Sequence, residues 1–229
     1  MTVAIMQPYL FPYIGYWQLI HAVDTFVIFD DVNYIKKGYI NRNNILVNGQ
    51  KQTFTLELMS ASQNKLINDI DIGNNIEKLL KTFEMAYKKA PYFEEIFPII
   101  KKILLHDEKN VAKLIGYSLT KISNYLGLNT KIIYSSSIEK NNTLKAQEKI
   151  IDIVKRLQAT DYINAIGGQE LYEKARFLNE GLNLHFLQTE LQEYQQFKNQ
   201  FVPYLSIVDV MMFNEKKTTM RMLEKYKLI

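Results

Sequence analysis

The stretch MTVAIMQPYLFPYIGYWQLIHAVDTFVIFDDVNYIKKGYINRN, residues 1–43, decides how the chain is read. Thr2 to Met6 is an apolar run that stops at Gln7-Pro8. A loop rich in proline, glycine and aromatic residues follows, then a short amphipathic stretch from Tyr16 to Val23. A second apolar run, Thr25 to Phe29, stops at Asp30-Asp31. Short apolar runs closed by turn or polar residues read as strands, and the periodic stretch between them as a helix. Strand, loop, helix, strand opens an α/β fold with a parallel sheet, whose ligands sit beyond the carboxyl ends of the strands.

The same alternation returns late in the chain. Thr130 to Tyr134 reads as a strand ending in Ser135-Ser136-Ser137, and Leu144 to Gln158 as an amphipathic helix. Asp161 to Ile166 is a strand ending in Gly167-Gly168-Gln169, Glu170 to Asn179 a helix, and Leu182 to Leu187 a strand. β-α-β-α-β implies parallel pairing. Between the two blocks, residues 44–58 (NILVNGQKQTFTLEL) predict a β-hairpin, because Asn48-Gly49 supplies the positive φ angles of a type I′ turn. Such a hairpin could fold over a pocket as a flap. Residues 74–127 carry helical periodicity without a strand: Asn74 or Asn75 is a plausible cap, Pro98 should break or kink the second helix, and Gly127 looks like the last stop. The expectation is one domain over residues 1–229. Its parallel, nucleotide-binding-like sheet would carry a helical subdomain at about 74–127, with two short helices after Leu205.

Composition narrows the function. The chain has no cysteine, so disulfides, thiolate nucleophiles and cysteine metal sites are excluded. No apolar run approaches the roughly 20 residues of a membrane span, and no basic, apolar leader opens the chain, so a cytoplasmic protein without membrane insertion is expected. The net charge of +4 comes mostly from lysines interleaved with glutamates, and only four arginines occur. That pattern reads as a solvated surface rather than a nucleic-acid face. The three histidines form no metal pattern, and no metal site is expected.

The chemistry-bearing residues follow the strands. Gln7, Asp30-Asp31, Ser135 to Ser137, Asn164 and Gly167-Gly168-Gln169 would converge on one edge of a parallel sheet. The loop Gln7 to Tyr16 carries Tyr9, Tyr13 and Tyr16 between prolines, with Gly15 allowing close approach at a helix start. It reads equally as an aromatic wall over a nucleotide or sugar and as a core plug. Adjacent residues on a strand point to opposite sides, so at most one of Asp30 and Asp31 faces a pocket, as a hydroxyl or amine acceptor rather than a metal ligand. Arg42, in Asn41-Arg42-Asn43-Asn44, offers a planar fork for carboxylate or phosphate. Ser206 and Asp209 look like a helix cap with an acidic third residue.

Two resemblances carry further expectations. Tyr13-Ile14-Gly15-Tyr16 is similar in position to the His-x-Gly-His signature of class I nucleotidyl transferases, but phenols stand where histidines would, leaving Lys36, Lys37 and Arg42 as the cations. The whole pattern resembles the WbqC-like family. It shares Gln-Pro-x-Tyr-x-Pro-x-x-Gly-Tyr at Gln7–Tyr16, the Asp-Asp-Val segment ending at Val32, and Asn-Arg-Asn at Asn41–Asn43. Further matches are Tyr162 with Gly167, Gly168 and Tyr172, then Tyr194–Gln196 and Phe201–Asp209. The family's usual tryptophan before Asn-Arg-Asn is absent, with Tyr39 in that vicinity. The resemblance implies a part in bacterial surface-polysaccharide (O-antigen) biosynthesis. Its proposed chemistry is acyl or aminoacyl transfer, glycine included, onto an amino group of a nucleotide-linked sugar. Asp30 and Asp31 would then be the catalytic carboxylates. Gln7, Tyr9, Tyr13, Gly15, Arg42, Asn43, Ser135, Asn164, Gly167, Gly168, Gln169 and Tyr172 would bind substrate. The cofactor is left open, with ATP or another nucleotide as the candidate, as is the oligomeric state. The alternative is a non-catalytic sugar-nucleotide binding or scaffold protein.

Overall fold

The computed structural model describes residues 1–198 and 200–229. Its first strand, β1 (Thr2–Met6), alternates side chains between two apolar layers: Ala4 joins one, Val3 and Ile5 the other. β2 (Thr25–Ile28) does the same, with Phe26 and Ile28 on the first face and Val27 on the second. A strand buried on both faces needs apolar residues at every position, which is why both runs lack the polar alternation of a half-exposed strand.

Between them α1 (Ile14–His21) packs into the first layer through Trp17, Leu19 and Ile20. It begins two residues before the expected Tyr16. After β2 the chain leaves the sheet for a hairpin, β3 (Arg42–Val47) and β4 (Gln50–Thr55), turning at Asn48 (φ 50°) and Gly49 (φ 76°) as its sequence demands. A minor ribbon, β5 (Leu58–Met59) with β6 (Asp71–Ile72), leads to α2 (Ile76–Tyr87), α3 (Phe93–Leu104) and α4 (Val111–Leu126). These three helices share the first apolar layer with the sheet and the hairpin. Asn75 begins α2, but its side chain does not cap it. It bonds Glu57 N–H and Thr55 C=O instead and ties the helix start to the hairpin. Helix α3 continues through Pro98, at its sixth residue, so the proline does not break it. Gly127 (φ 84°) ends α4 in the left-handed conformation that favours glycine.

The chain returns with β7 (Lys131–Tyr134), α5 (Ala146–Arg156), β8 (Asp161–Ala165), α6 (Lys174–Leu178) and β9 (Asn183–Thr189). The helix expected from Glu170 is in fact a 3₁₀ segment, Ile166–Leu171, then extended Tyr172, then the shorter α6. The C-terminus forms α7 (Ile207–Phe213), α8 (Lys216–Leu223) and an unanticipated β10 (Tyr226–Leu228). The sheet order is β10-β9-β8-β1-β2-β7, parallel except for β10, which pairs antiparallel with β9. Helices α5 and α6 cover the second face through Ile150, Val154 and Phe177. Among the described residues no helix is long and apolar enough to cross a membrane.

Gly116 shows how tightly α4 is pressed onto the sheet. A Cβ there would overlap the Tyr134 hydroxyl, come 2.7 Å from its Cζ and 3.1 Å from Ile28 Cδ1. Glycine-to-alanine in a helix normally gains about 1 kcal/mol. Here overpacking prevails, and Gly116→Ala should destabilise by about 1–3 kcal/mol in urea unfolding. A gain in stability would show that α4 does not bear on β7.

Candidate functional site

The strand order reverses beside β1. The chain winds β1, β2, β7 in one direction and returns to β8 on the other side of β1. The helix after β1 joins one apolar layer, and α6, after β8, joins the other. Their exits diverge and leave a depression at the carboxyl ends of β1 and β8, where doubly wound folds bind ligands.

A cavity of about 470 Å³ occupies that depression. Gln7 and Asn164 line it from the two strand ends, Gly167, Gly168 and Tyr172 from the segment after β8, and Tyr9, Tyr13 and Tyr16 from the loop after β1. Asn164 Oδ1 accepts the Ala165 N–H at 2.8 Å, leaving the amide nitrogen against Gly168. A Cβ at Gly168 would overlap that nitrogen and lie 3.0 Å from Asn164 Cγ, whereas one at Gly167 would meet nothing within 4 Å. Burial pushes the phenols of Tyr9, Tyr13 and Tyr16 above their ordinary range, so at neutral pH they are uncharged. Tyr16 donates to Gln7 C=O at 2.8 Å.

The aromatic loop is built, not loose. Trp17 Nε1 donates to Pro12 C=O at 3.2 Å, and Leu10 N–H to Ile40 C=O at 3.0 Å. Phe11 takes φ 46°, rare for a bulky residue, and its carbonyl accepts from Asn43 Nδ2 (2.9 Å) and Ser206 Oγ (2.7 Å). Asn43, expected to bind substrate, thus spends its amide nitrogen on the loop. Gly15 lies beneath the Tyr13 ring, where a Cβ would come 2.7 Å from Tyr13 Cζ. A second cavity, of about 320 Å³, shares Tyr9 and Tyr13 with the first and is walled by Tyr39, Tyr204, Asn43 and Lys51.

Asp30, Asp31 and Ser135 stand outside the lining of both cavities. Asp30 is buried and accepts from Ser136 N–H at 2.9 Å and Ser136 Oγ at 2.6 Å. Asp31 pairs with Lys140 at 2.7 Å and Lys149 at 3.4 Å. Burial alone would raise its pKa. The contact with Lys140 and the two ammonium charges outweigh that and hold the carboxyl below its usual range. Lys149 Nζ sits 5.3 Å from the centre of the Phe29 ring, which lines the larger cavity, so this charged cluster lies directly beside it. The Arg42 fork is taken up by the backbone, Nε donating to Gly38 C=O at 2.9 Å and Nη2 to Lys37 C=O. It shapes the turn carrying Tyr39. Gln169 is exposed and outside the cavity lining.

Sequence reasoning missed the cations Lys140 and Lys149, which no motif marks. It also misread Asp209. Ser206 does cap α7 through Val208 N–H, but the Asp209 carboxylate turns inward to accept from Tyr87 (2.8 Å), Tyr194 (2.7 Å) and Gln196 (2.7 Å). In the sequence Tyr194-x-Gln196 and Ser206-Ile-x-Asp209 are separate motifs, and the fold brings them together.

Fold and cavity together define a doubly wound α/β protein with a cleft at its switch point. Within that class the chain belongs to the WbqC-like protein family, whose sequence pattern matches residues 7–221. An uncharacterized Mycobacterium tuberculosis protein, Rv1507c, is 27% identical over 214 residues, covering 91% of this chain and 92% of the mycobacterial one. No solved structure matches.

Two predictions test the construction. Asp31→Asn leaves Lys140, whose side chain is 2% exposed, without its counter-charge. A loss of about 3–5 kcal/mol is expected in denaturant unfolding. Because the folded carboxyl titrates below its unfolded value, its contribution is present above about pH 4 and fades as pH falls through the folded pKa. The acid limb of the stability curve should therefore be shallower in the variant than in the wild type. At the glycine pair, Gly168→Ala should lower the melting temperature by several degrees and Gly167→Ala by about 1 °C or less. Equal effects would refute the packing of Asn164 on Gly168.

Proposed function

We propose that this protein binds a nucleotide-linked amino sugar at the switch-point cavity and transfers an acyl or aminoacyl group, glycine being the candidate, to the sugar's amine during assembly of a bacterial surface polysaccharide. The observation that carries the reading is the character of the lining: neutral amides at Gln7 and Asn164, uncharged tyrosines, and, among the described residues, no carboxylate or ammonium. Carboxamides and phenols suit hydroxyls, and aromatic faces suit the apolar faces of a sugar ring or a base. Family membership supplies the polysaccharide context.

In the transfer, the amine nitrogen attacks the donor's carbonyl carbon and the leaving group departs with the bonding pair. The nitrogen's surplus proton passes to a base. Asp31 is the proposed acceptor, on the neighbouring strand end and kept ionised by Lys140 and Lys149; because it stands outside the cavity lining, the proton reaches it by way of water rather than by direct contact. A carboxylate held below its usual range is a weak base, so the proposed acyl donor is an activated one, a thioester or an acyl adenylate made with ATP. Nucleotidyl transfer by this site has less support, since Tyr13 and Tyr16 are neutral and Arg42 is occupied. The second reading, sugar-nucleotide binding without catalysis, is favoured by the same absence of a carboxylate from the lining.

Calorimetric titration with nucleotide-linked amino sugars tests the binding. Asn164→Ala and Gln7→Ala should each weaken it roughly tenfold, the cost of one hydrogen bond left unmade. Retention of full affinity in both would remove the sugar from this cavity. With an activated donor, Asp31→Asn should lower kcat at least tenfold while leaving KM within about threefold, the pattern of a lost transition-state interaction. Unchanged kcat, or no turnover with any donor while binding persists, would favour the non-catalytic reading.

A further inference from the structure

Two of the chain's exposed large apolar side chains, Tyr39 (51% exposed) and Tyr204 (54%), line the smaller cavity. Each faces a half-buried tyrosine of the aromatic loop: the Tyr9 and Tyr39 ring centres are 6.0 Å apart at 51°, and those of Tyr13 and Tyr204 6.4 Å apart at 58°. Neither pair is stacked face to face. Tyr204 is held there at some cost, since its φ of 57° is a conformation that a bulky residue rarely adopts. The connection that carries it, between β9 and α7, is tied down by Gln196, which joins Val202 and the buried Asp209. Lys51 is the one cation among the described residues of the lining. The first turn of α1, which starts directly after Tyr13, carries no acidic residue, so its positive dipole end is uncompensated.

We infer that the smaller cavity is a subsite for a nucleoside diphosphate, the base lying among Tyr9, Tyr13, Tyr39 and Tyr204 and the phosphates meeting Lys51. Aromatic faces that take any base by stacking, beside a lysine, are the recognition chemistry of a nucleotide. Tyr9 and Tyr13 line both cavities, so a nucleotide seated here adjoins the larger cavity with Gln7 and Asn164. The inference deepens the sugar-nucleotide reading and rests on it for the direction of the attached sugar, but not for the nucleotide itself.

The test is calorimetric titration of the full chain with ADP, CDP, GDP, UDP and dTDP, and with the nucleoside and pyrophosphate corresponding to the tightest. At least one diphosphate should bind. Tyr204→Ala should weaken that diphosphate and its nucleoside alike, by roughly tenfold, the usual effect of losing one base–aromatic stack. Lys51→Gln should weaken the diphosphate and pyrophosphate roughly tenfold and the nucleoside less than twofold, as expected for loss of one charged contact. Asn164→Ala, in the other cavity, should leave all three within about twofold. Binding by none of the five diphosphates overturns the inference. So does a diphosphate whose affinity falls with Asn164→Ala but not with Lys51→Gln or Tyr204→Ala, an outcome that moves the nucleotide into the larger cavity and leaves the sugar-nucleotide reading intact. Diphosphate binding lost with Lys51→Gln and Tyr204→Ala, but not improved by an attached amino sugar, upholds the subsite and refutes the sugar reading.

Discussion

The reversal of winding beside β1 is the constraint on which the rest of the site depends. A connection that leaves β1 must cross to the face covered by α1, and one that leaves β8 must cross to the face covered by α6. Backbone cannot fill the space between two diverging exits, so it is left to side chains. Gln7 and Asn164 stand there because they are the residues at the ends of β1 and β8, and Gly168 because Asn164 needs the room that a Cβ would take.

One wall of that space is an aromatic loop that local preference alone would not hold. Phe11 in a left-handed conformation costs about 1–3 kcal/mol. The cost is offset by two side-chain donors on its carbonyl, from Asn43 at the hairpin and Ser206 at the start of α7. Both donors come from far along the chain, and both are themselves buried. Asp209 extends the arrangement one turn deeper. Its carboxylate is pushed up by burial and held down by three donors, from α2 and from the β9–α7 connection. A buried polar group of this kind stabilises only when every partner is present, which couples the hairpin, α2 and the C-terminal helices to the shape of the pocket.

The charged groups are arranged by the opposite logic. Asp31, Lys140 and Lys149 form a paired cluster separated from the neutral cavity by the Phe29 ring. Pairing keeps the carboxylate ionised and the cavity lining free of formal charge. Any ligand that carries phosphate must therefore find its cation elsewhere, and Lys51 is positioned to supply it.

The sequence by itself determined the layers. Doubly apolar runs at Thr2–Met6 and Thr25–Phe29, the Asn48-Gly49 turn and the helical stop at Gly127 are local patterns, because burial on two faces and positive φ are local requirements. The carboxyl-edge positions of Gln7 and Asn164 followed from strand direction alone. Tertiary structure decided what those residues could touch. Pro98 stays helical because the apolar face of α3, with Ile96, Ile100 and Ile103, is fully buried in the first layer, and that packing outweighs one missing hydrogen bond. Arg42 spends its fork on two carbonyls of the preceding turn, and Asp31 finds two lysines that lie more than a hundred residues later. Tyr204 is brought opposite Tyr13 only when α7 docks. Partners so distant in sequence are chosen by strand order and packing, and neither periodicity nor composition records them.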